Sequence, residues 1–336
     1  MSAAPFTAAD PWRFPQPYGW RTLAVLIAVL CLLFYSGKRA EIDRMTAMTV
    51  EAVLAPAGLA EKSRVAEGLS HLASQMVPIQ ISDRQEVTRI EGFDPDHLPL
   101  FSHLETVRRF DERLNPETML LERQPTESVW LVEPFGYVTH VAGKMLETLE
   151  IALWGTIVAT MIGLPLALFS ARTMRMPMAV RGVSNTVIAL LRAIPDLVSA
   201  LFLVIAYGFG PIAGILSLGL YGAGFLGKFY ADDMENADFR PQEALIATGA
   251  GRLAVWRFAV LPQVMPQFIA YTLYILDRNM RMATVIGLVG AGGIGQELKG
   301  RYDLYEYGHV ATILIAIFLT VLLLDQGAAR LRRAWL

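Results

Sequence analysis

Five ionisable residues lie where an apolar sequence should exclude them. Arg192 and Asp196 sit in LLRAIPDLVSA, and Asp277, Arg278 and Arg281 sit in YILDRNMRMATVIG. Charge at bilayer depth is costly, so such groups pair with one another or face an interior path. Arg192 and Asp196 are four apart, as are Asp277 and Arg281, so each pair can close a salt bridge on one helix face. The guanidinium is also a planar fork that suits phosphate-like oxygens. A candidate path therefore comprises Arg192, Asp196 and Arg281, with Asn279 and Thr284 as neutral hydrogen-bonding groups. Its chemistry is the passage of an oxyanion. Purely structural pairing meets the same burial cost, and both readings stand at this point.

Gly290-Ala291-Gly292-Gly293-Ile294-Gly295 fits G-x-G-x-x-G. A dinucleotide fingerprint requires a preceding strand in a βαβ unit, and here an apolar helical run precedes. Gly290, Gly292, Gly293 and Gly295 instead predict a turn that lets helices approach closely. Its backbone amides could also meet an anion beside a gate. The chain carries no G-x-x-x-x-G-K-[ST] loop, no credible Ser-His-Asp or Cys-His arrangement and no H-E-x-x-H. ATP hydrolysis is excluded for this chain, and no catalytic residue is expected. The five histidines lack metal-ligand spacing, so no metal site is expected. Cys31 stands alone, which rules out an intrachain disulfide.

These residues need membrane helices to position them. Charged residues make up 18% of 336, below the roughly 25% of globular domains. Mean hydropathy is +0.41. The net charge of −2 provides no field to recruit nucleic acid. Residues 151–171 and 197–227 contain no charge, and about 20 apolar residues cross a bilayer as a helix. The turn signal Gly208-Phe209-Gly210-Pro211 divides the longer run. The predicted spans are 21–36, 146–169, 183–207, 211–229, 264–287 and 309–327. Residues 22–35 read as an uncleaved anchor, because Ser36-Gly37-Lys38 makes a poor signal-peptide cleavage site. Arg172, Arg175 and Arg181, then Lys228, Arg240, Arg252 and Arg257, then Arg330, Arg332 and Arg333 fall on one side by parity. That side is the cytoplasm.

The expected organisation is a cytoplasmic tail at 1–20, a first span at 21–36 and an extracytoplasmic segment at 37–145. A transmembrane core follows at 146–329, with a cytoplasmic loop at 230–262 and a tail at 330–336. The extracytoplasmic segment reads as mostly helical, and serves either as a docking surface or as a packing appendage. SRVAEGLSHLASQM has apolar residues at helical spacing. FSHLETVRRFDERL looks like a second helix, with Ser102 and Glu105 in a capping-box pattern.

Residues 242–262, QEALIATGAGRLAVWRFAVLP, are too charged to span and too apolar for an ordinary loop. They read as two short helices around Gly249-Ala250-Gly251. Pro241 opens the first and Gly249 ends it in a left-handed turn. RLAVWRFAV forms the second, with Leu253, Trp256 and Val260 on one face, until Leu261-Pro262 stops it. This segment resembles the cytoplasmic EAA loop of ABC importer permeases. Glu243-Ala244, Thr248-Gly249-Ala250 and Val260-Leu261-Pro262 match that pattern, and Leu245 departs from its second alanine. The resemblance implies that Glu243, Ala244, Thr248, Gly249, Arg252, Leu261 and Pro262 couple to a separate ATPase.

A broader resemblance covers residue 140 onward. TLEIALWGT (148–156), RAIPD (192–196), IATGAGRL (246–253), VLPQVMPQFIAYTLY (260–274) and NMRMATVIGLVGAGGIG (279–295) are similar to the phosphonate importer permease family. The resemblance implies an all-α integral membrane protein of type I ABC importer architecture, six helices per chain. It implies a bacterial inner-membrane homodimer, two ATPase subunits that bind ATP and Mg, and an extracytoplasmic solute-binding protein. The implied cargo is phosphonate, phosphite or a related oxyanion. Residues 37–139 depart from the family pattern. An ion-gradient-driven transporter or channel for small anions is the alternative, and it leaves 242–262 without a purpose.

Overall fold

The computed structural model describes residues 19–55, 63–90, 92–95, 98–99, 101–114, 121–174 and 176–335. The expected tail at 1–20 lies outside them up to residue 18. The chain divides into two compact units, Met1–Ser74 and Gln75–Leu336.

The first unit is built from helices. α1 (Trp20–Arg39) is 20 residues long, about 30 Å, and buries no side chain. Leucine, valine and phenylalanine line it on all sides, which suits a helix whose solvent is lipid. α2 (Ile42–Leu54) follows after Glu41 in a left-handed turn. α3 (Arg64–Gln75) forms where helical spacing predicts it, and the Ala66 amide donates to the Ser63 hydroxyl at its start.

The second unit opens with a three-stranded antiparallel sheet in the order β1-β3-β2. The strands are β1 (Asp83–Glu86), β2 (His103–Leu114) and β3 (Leu121–Glu133). The helix expected over FSHLETVRRFDERL is therefore strand β2, and among the described residues of 83–133 strands replace the expected helices. Glu105 pairs with Trp130, Thr106 with Val129 and Arg108 with Glu127. Arg108 Nε donates to Glu127 Oε1 at 2.8 Å. The Ser102 hydroxyl bonds the Pro99 carbonyl rather than capping a helix. β3 runs through Pro134-Phe135 directly into the bundle.

The bundle comprises α4 (Gly136–Ser170), α5 (Met178–Ala193), α6 (Asp196–Tyr207), α7 (Pro211–Asn236), α8 (Phe239–Ala247), α9 (Arg252–Val255), α10 (Leu261–Gly287), α11 (Gly293–Asp303) and α12 (Tyr307–Trp335). α4 starts at Gly136 rather than 146, and α12 continues through most of the expected tail at 330–336. α4 lies along α7 through small residues. A Cβ on Gly163 would come within 3.1 Å of the Ala223 carbonyl, so the two backbones touch. Ile151, Ala159, Leu218, Leu226, Ile275 and Ile286 fill the core beside them.

α1, α4, α7, α12 and the run Arg252–Gly287 are each long and apolar enough to cross a membrane, and the bent pair α5–α6 counts as a sixth span. The third span is broken at Pro195, where the sequence removes a backbone hydrogen bond from the helix. α5 and α6 meet at 92° across Ile194-Pro195. Pro195 has no amide hydrogen and pushes the residue before it out of the helical region, and Ile194 is extended at φ −87°, ψ 121°. Gly208 and Gly210 (φ +88° and +140°) then turn the chain into α7, as their sequence suggests.

Candidate functional site

The break between α5 and α6 is tied by a knot of polar groups. Asp196 is the first residue of α6, where a carboxylate complements the positive end of the helix. Its side chain is 3% exposed. Arg278 on α10 donates from Nη2 to Asp196 Oδ2 at 2.6 Å. The same guanidinium lies 4.1 Å over the ring of Tyr221 on α7. The Asp196 carbonyl accepts from the Ser199 and Ser217 hydroxyls at 2.9 and 2.8 Å. Three helices therefore converge on one aspartate.

The expected local pair Arg192–Asp196 does not form, because the 92° break separates residues that a straight helix would stack. Arg192 instead lies 4.9 Å over the Phe225 ring. Asp277 and Arg281 do pair along α10, at 2.7 and 3.1 Å. Asn279 is fully buried and donates to Thr156 on α4 at 3.0 Å. Thr284 is half-buried further along α10. These residues do not converge on one site. Asp196 joins Arg278, Asn279 joins Thr156, and Arg192 and Arg281 satisfy themselves elsewhere. Sequence reasoning left Arg278 out of the candidate path. Its only signal was one cation more than the local pairing 277–281 could use. Arg278 Nη1 and Asn279 Oδ1 are enclosed without a hydrogen-bond partner.

The glycine turn packs helices together. Gly290, Gly292 and Gly293 all have left-handed φ, from +71° to +93°. The Gly293 amide donates to Glu147 Oε1 at 3.0 Å and the Ile294 amide to the Thr148 hydroxyl at 2.8 Å. Two amides of the turn, those of Gly293 and Ile294, are thus occupied by α4. Close approach, as the glycines predict, is what the turn provides.

Beyond this turn, Arg301 on α11 binds Glu297 at 2.8 Å and Glu306 at 2.7 Å. His140 lies 3.4 Å from Glu297. Burial raises the Glu297 carboxyl, but the hydrogen bond and charge of Arg301, helped by His140, outweigh it and hold the group below its ordinary range. A depressed carboxylate contributes stability above its unfolded value and loses it as pH falls through the folded one. Glu297→Gln should therefore cost about 1–3 kcal/mol at pH 7. The deficit should shrink as pH falls below about 4.3. Thermal melting of both proteins across that range checks it, and a pH-independent gap would be the contrary result.

At the opposite end of α4, residues 238–262 form a capped turn. Asp238 caps α8 by accepting from the Arg240 amide at 3.0 Å, which places Pro241 within the first turn. The Ala250 amide returns to the Leu245 carbonyl and the Gly249 amide to Ile246, at 3.1 and 2.9 Å. This double closure around Gly249 at φ +80° ends α8 as its glycine predicts. Gln263 ties the two ends together by accepting from the Asp238 amide at 2.9 Å and donating to the Ala259 carbonyl. Leu261-Pro262 does not stop the second helix. α9 passes through a π-turn at Trp256–Val260 straight into α10, a continuous run of 36 residues. The wide turn also rotates the expected face. Val255, Ala259 and Val260 are buried while Leu253 is 73% exposed. Glu243, Ala244, Thr248, Gly249 and Arg252 are all exposed. A cavity of about 390 Å³ separates this turn from residues 172–174, with Gln242, Ile246 and Trp256 among its walls.

Comparison with known proteins matches this architecture. The family model described as "Binding-protein-dependent transport system inner membrane component" covers residues 163–334. The putative phosphite transport system permease protein HtxE of Stutzerimonas stutzeri is 53% identical over 257 residues, 76% of this chain and 98% of HtxE. The phosphite transport system permease protein PtxC of the same organism is 40% identical over 56% of this chain and 69% of its own length. The inward-facing MetNI methionine ABC transporter superposes with a TM-score of 0.51 at 22% identity, over 58% of this chain and 96% of that one, and shares the fold. With its broken third span, its capped turn and a family match over half its length, the chain belongs to the binding-protein-dependent transport system inner membrane components, as a permease of the type I importer fold.

Proposed function

We propose that the chain is the permease subunit of an ATP-driven importer for phosphite, phosphonate or a related phosphorus oxyanion. One observation carries the cargo: the 53% identity to a phosphite transport permease over 98% of that protein's length. The subunit works by alternating access, a two-state bundle biased from both sides of the membrane. The N-terminus is cytoplasmic and the sheet lies outside, by the distribution of arginine and lysine. Two copies pair with two ATPase subunits, which bind ATP and Mg. An extracytoplasmic solute-binding protein delivers the oxyanion.

The turn at 238–262 is the contact for the ATPase. Support comes from its rigidity and from the mixed character of its exposed surface, where Ile246, Leu253 and Phe258 stand beside Glu243 and Arg252. Such a surface has no purpose in water alone. Glu243, Ala244, Thr248 and Gly249 present the knob, Arg252 adds charge, and Leu261 with Pro262 joins it to α10.

Reconstitution with the ATPase and the binding protein tests this reading. ATP-dependent uptake of phosphite or methylphosphonate, absent without loaded binding protein, is the expected result. Uptake driven by an ion gradient with no ATPase present would refute it.

A further inference from the structure

Arg278 uses half of its fork. Nη2 holds Asp196, while Nη1 is enclosed with no acceptor. The Tyr221 ring lies 4.1 Å from the guanidinium and covers its face. A single carboxylate oxygen on one guanidinium nitrogen is the weaker of the two ways such groups meet. A planar or tetrahedral oxyanion can take both terminal nitrogens at once, with two parallel hydrogen bonds. The Arg278 side chain is 22% exposed, so it is reachable from outside the packed core.

Asp196 is also the residue on which the broken helix turns. It begins α6 directly after Pro195, and its carboxylate is almost wholly enclosed. A buried carboxylate that loses its cation cannot stay where it is, because an unpaired charge in that setting is far too costly. If another anion takes Arg278, Asp196 must leave, and α6 must swing about Ile194-Pro195 to let it out. The other arginines lack this arrangement. Arg281 is held two-pronged by Asp277 on its own helix, and Arg192 lies over Phe225.

We infer that Arg278 is the substrate-contacting arginine of the path, and that the translocated oxyanion displaces Asp196 from it and so releases α6. The inference rests on the importer reading above. The ligand class is a small anion with at least two oxygens on one centre, of which phosphite is an example. Substrate and Asp196 compete for one cation, so the path conducts only when the helix moves.

The test uses the complete complex in proteoliposomes, with phosphite supplied by the binding protein. Arg278→Lys keeps a cation for Asp196 but removes the fork. Its maximal uptake should fall at least tenfold while the complex melts within a few degrees of wild type. The exchanged pair Asp196→Arg with Arg278→Asp restores the interhelical ion pair and moves the cation to α6. It should assemble and remain inactive. If the pair only fastens helices, the exchange regains uptake to within about threefold of wild type, which overturns the inference. Wild-type uptake by Arg278→Lys overturns it as well. Should the wild-type complex carry no phosphorus oxyanion at all, the importer reading falls instead, so the two failures are distinguishable.

Discussion

Gly249→Val should cut coupled uptake about tenfold or more in a complex that still assembles. Gly249 sits at φ +80° and open space surrounds it, so a side chain there meets no neighbour. The cost is in the backbone alone. An L-residue in the left-handed region costs about 1–2 kcal/mol, and a β-branched one is an outlier there. At 1.4 kcal/mol per tenfold, that strain is enough to empty the observed turn in favour of others. The double closure from Ala250 and Gly249 onto Leu245 and Ile246 would open, and α8 would no longer hold a fixed angle to α9. Gly249→Asn is the informative companion, because asparagine tolerates this conformation. Asparagine should preserve most uptake and valine should not. Equal activity in both variants would show that the turn's shape is irrelevant to coupling.

Gly295→Ala should be the more destructive change, and in a different way. A Cβ at 295 would run into the Thr284 carbonyl and lie 2.9 Å from the Gly287 Cα. Backbone on both sides cannot rotate away, so α11 must separate from α10. Overpacking of this kind costs about 1–3 kcal/mol and more where nothing yields. The site also carries the Gly293 and Ile294 amides on Glu147 and Thr148, which would be stranded together. The complex should melt several degrees lower, or fail to accumulate in membranes. Gly300→Ala is the control on the same helix. Nothing lies within 4 Å of its Cβ, and alanine there should leave melting unchanged or raise it slightly. A Gly295→Ala complex that melts like wild type would contradict the packing described.

What could be read from the sequence follows from how local each cause is. α3, the Gly208–Pro211 turn and the left-handed Gly249 each depend on a few neighbouring residues, and all three stand where expected. β2 does not, because Phe101, Leu104, Val107 and Phe110 recur every three residues and imitate a helical stripe. Its true partner, Leu121–Glu133, lies further along the chain and decides the matter by pairing. Pro195 foretells a disturbance, but the 92° angle is set by packing against α7 and α10. Asp196 and Arg278 are 82 residues apart, so no window could join them. The candidate site was legible as an excess of charge in apolar sequence, and its wiring was not.

The π-turn at Trp256–Val260 has one further consequence. A turn of this kind carries an additional residue compared with the α-helix on either side. Each α-helical residue turns the chain by about 100° and advances it 1.5 Å. Dropping one residue from 256–260 would let the same sweep close as a regular helix, because about four α-helical residues turn through nearly the angle that five π residues do. The exposed turn would keep its bearing relative to Arg278 and Asn279 on the same rod. Residues 256–260 are therefore where the rod carries a spare residue: a deletion there is absorbed, whereas a deletion elsewhere in Arg252–Gly287 would turn everything beyond it by about 100°.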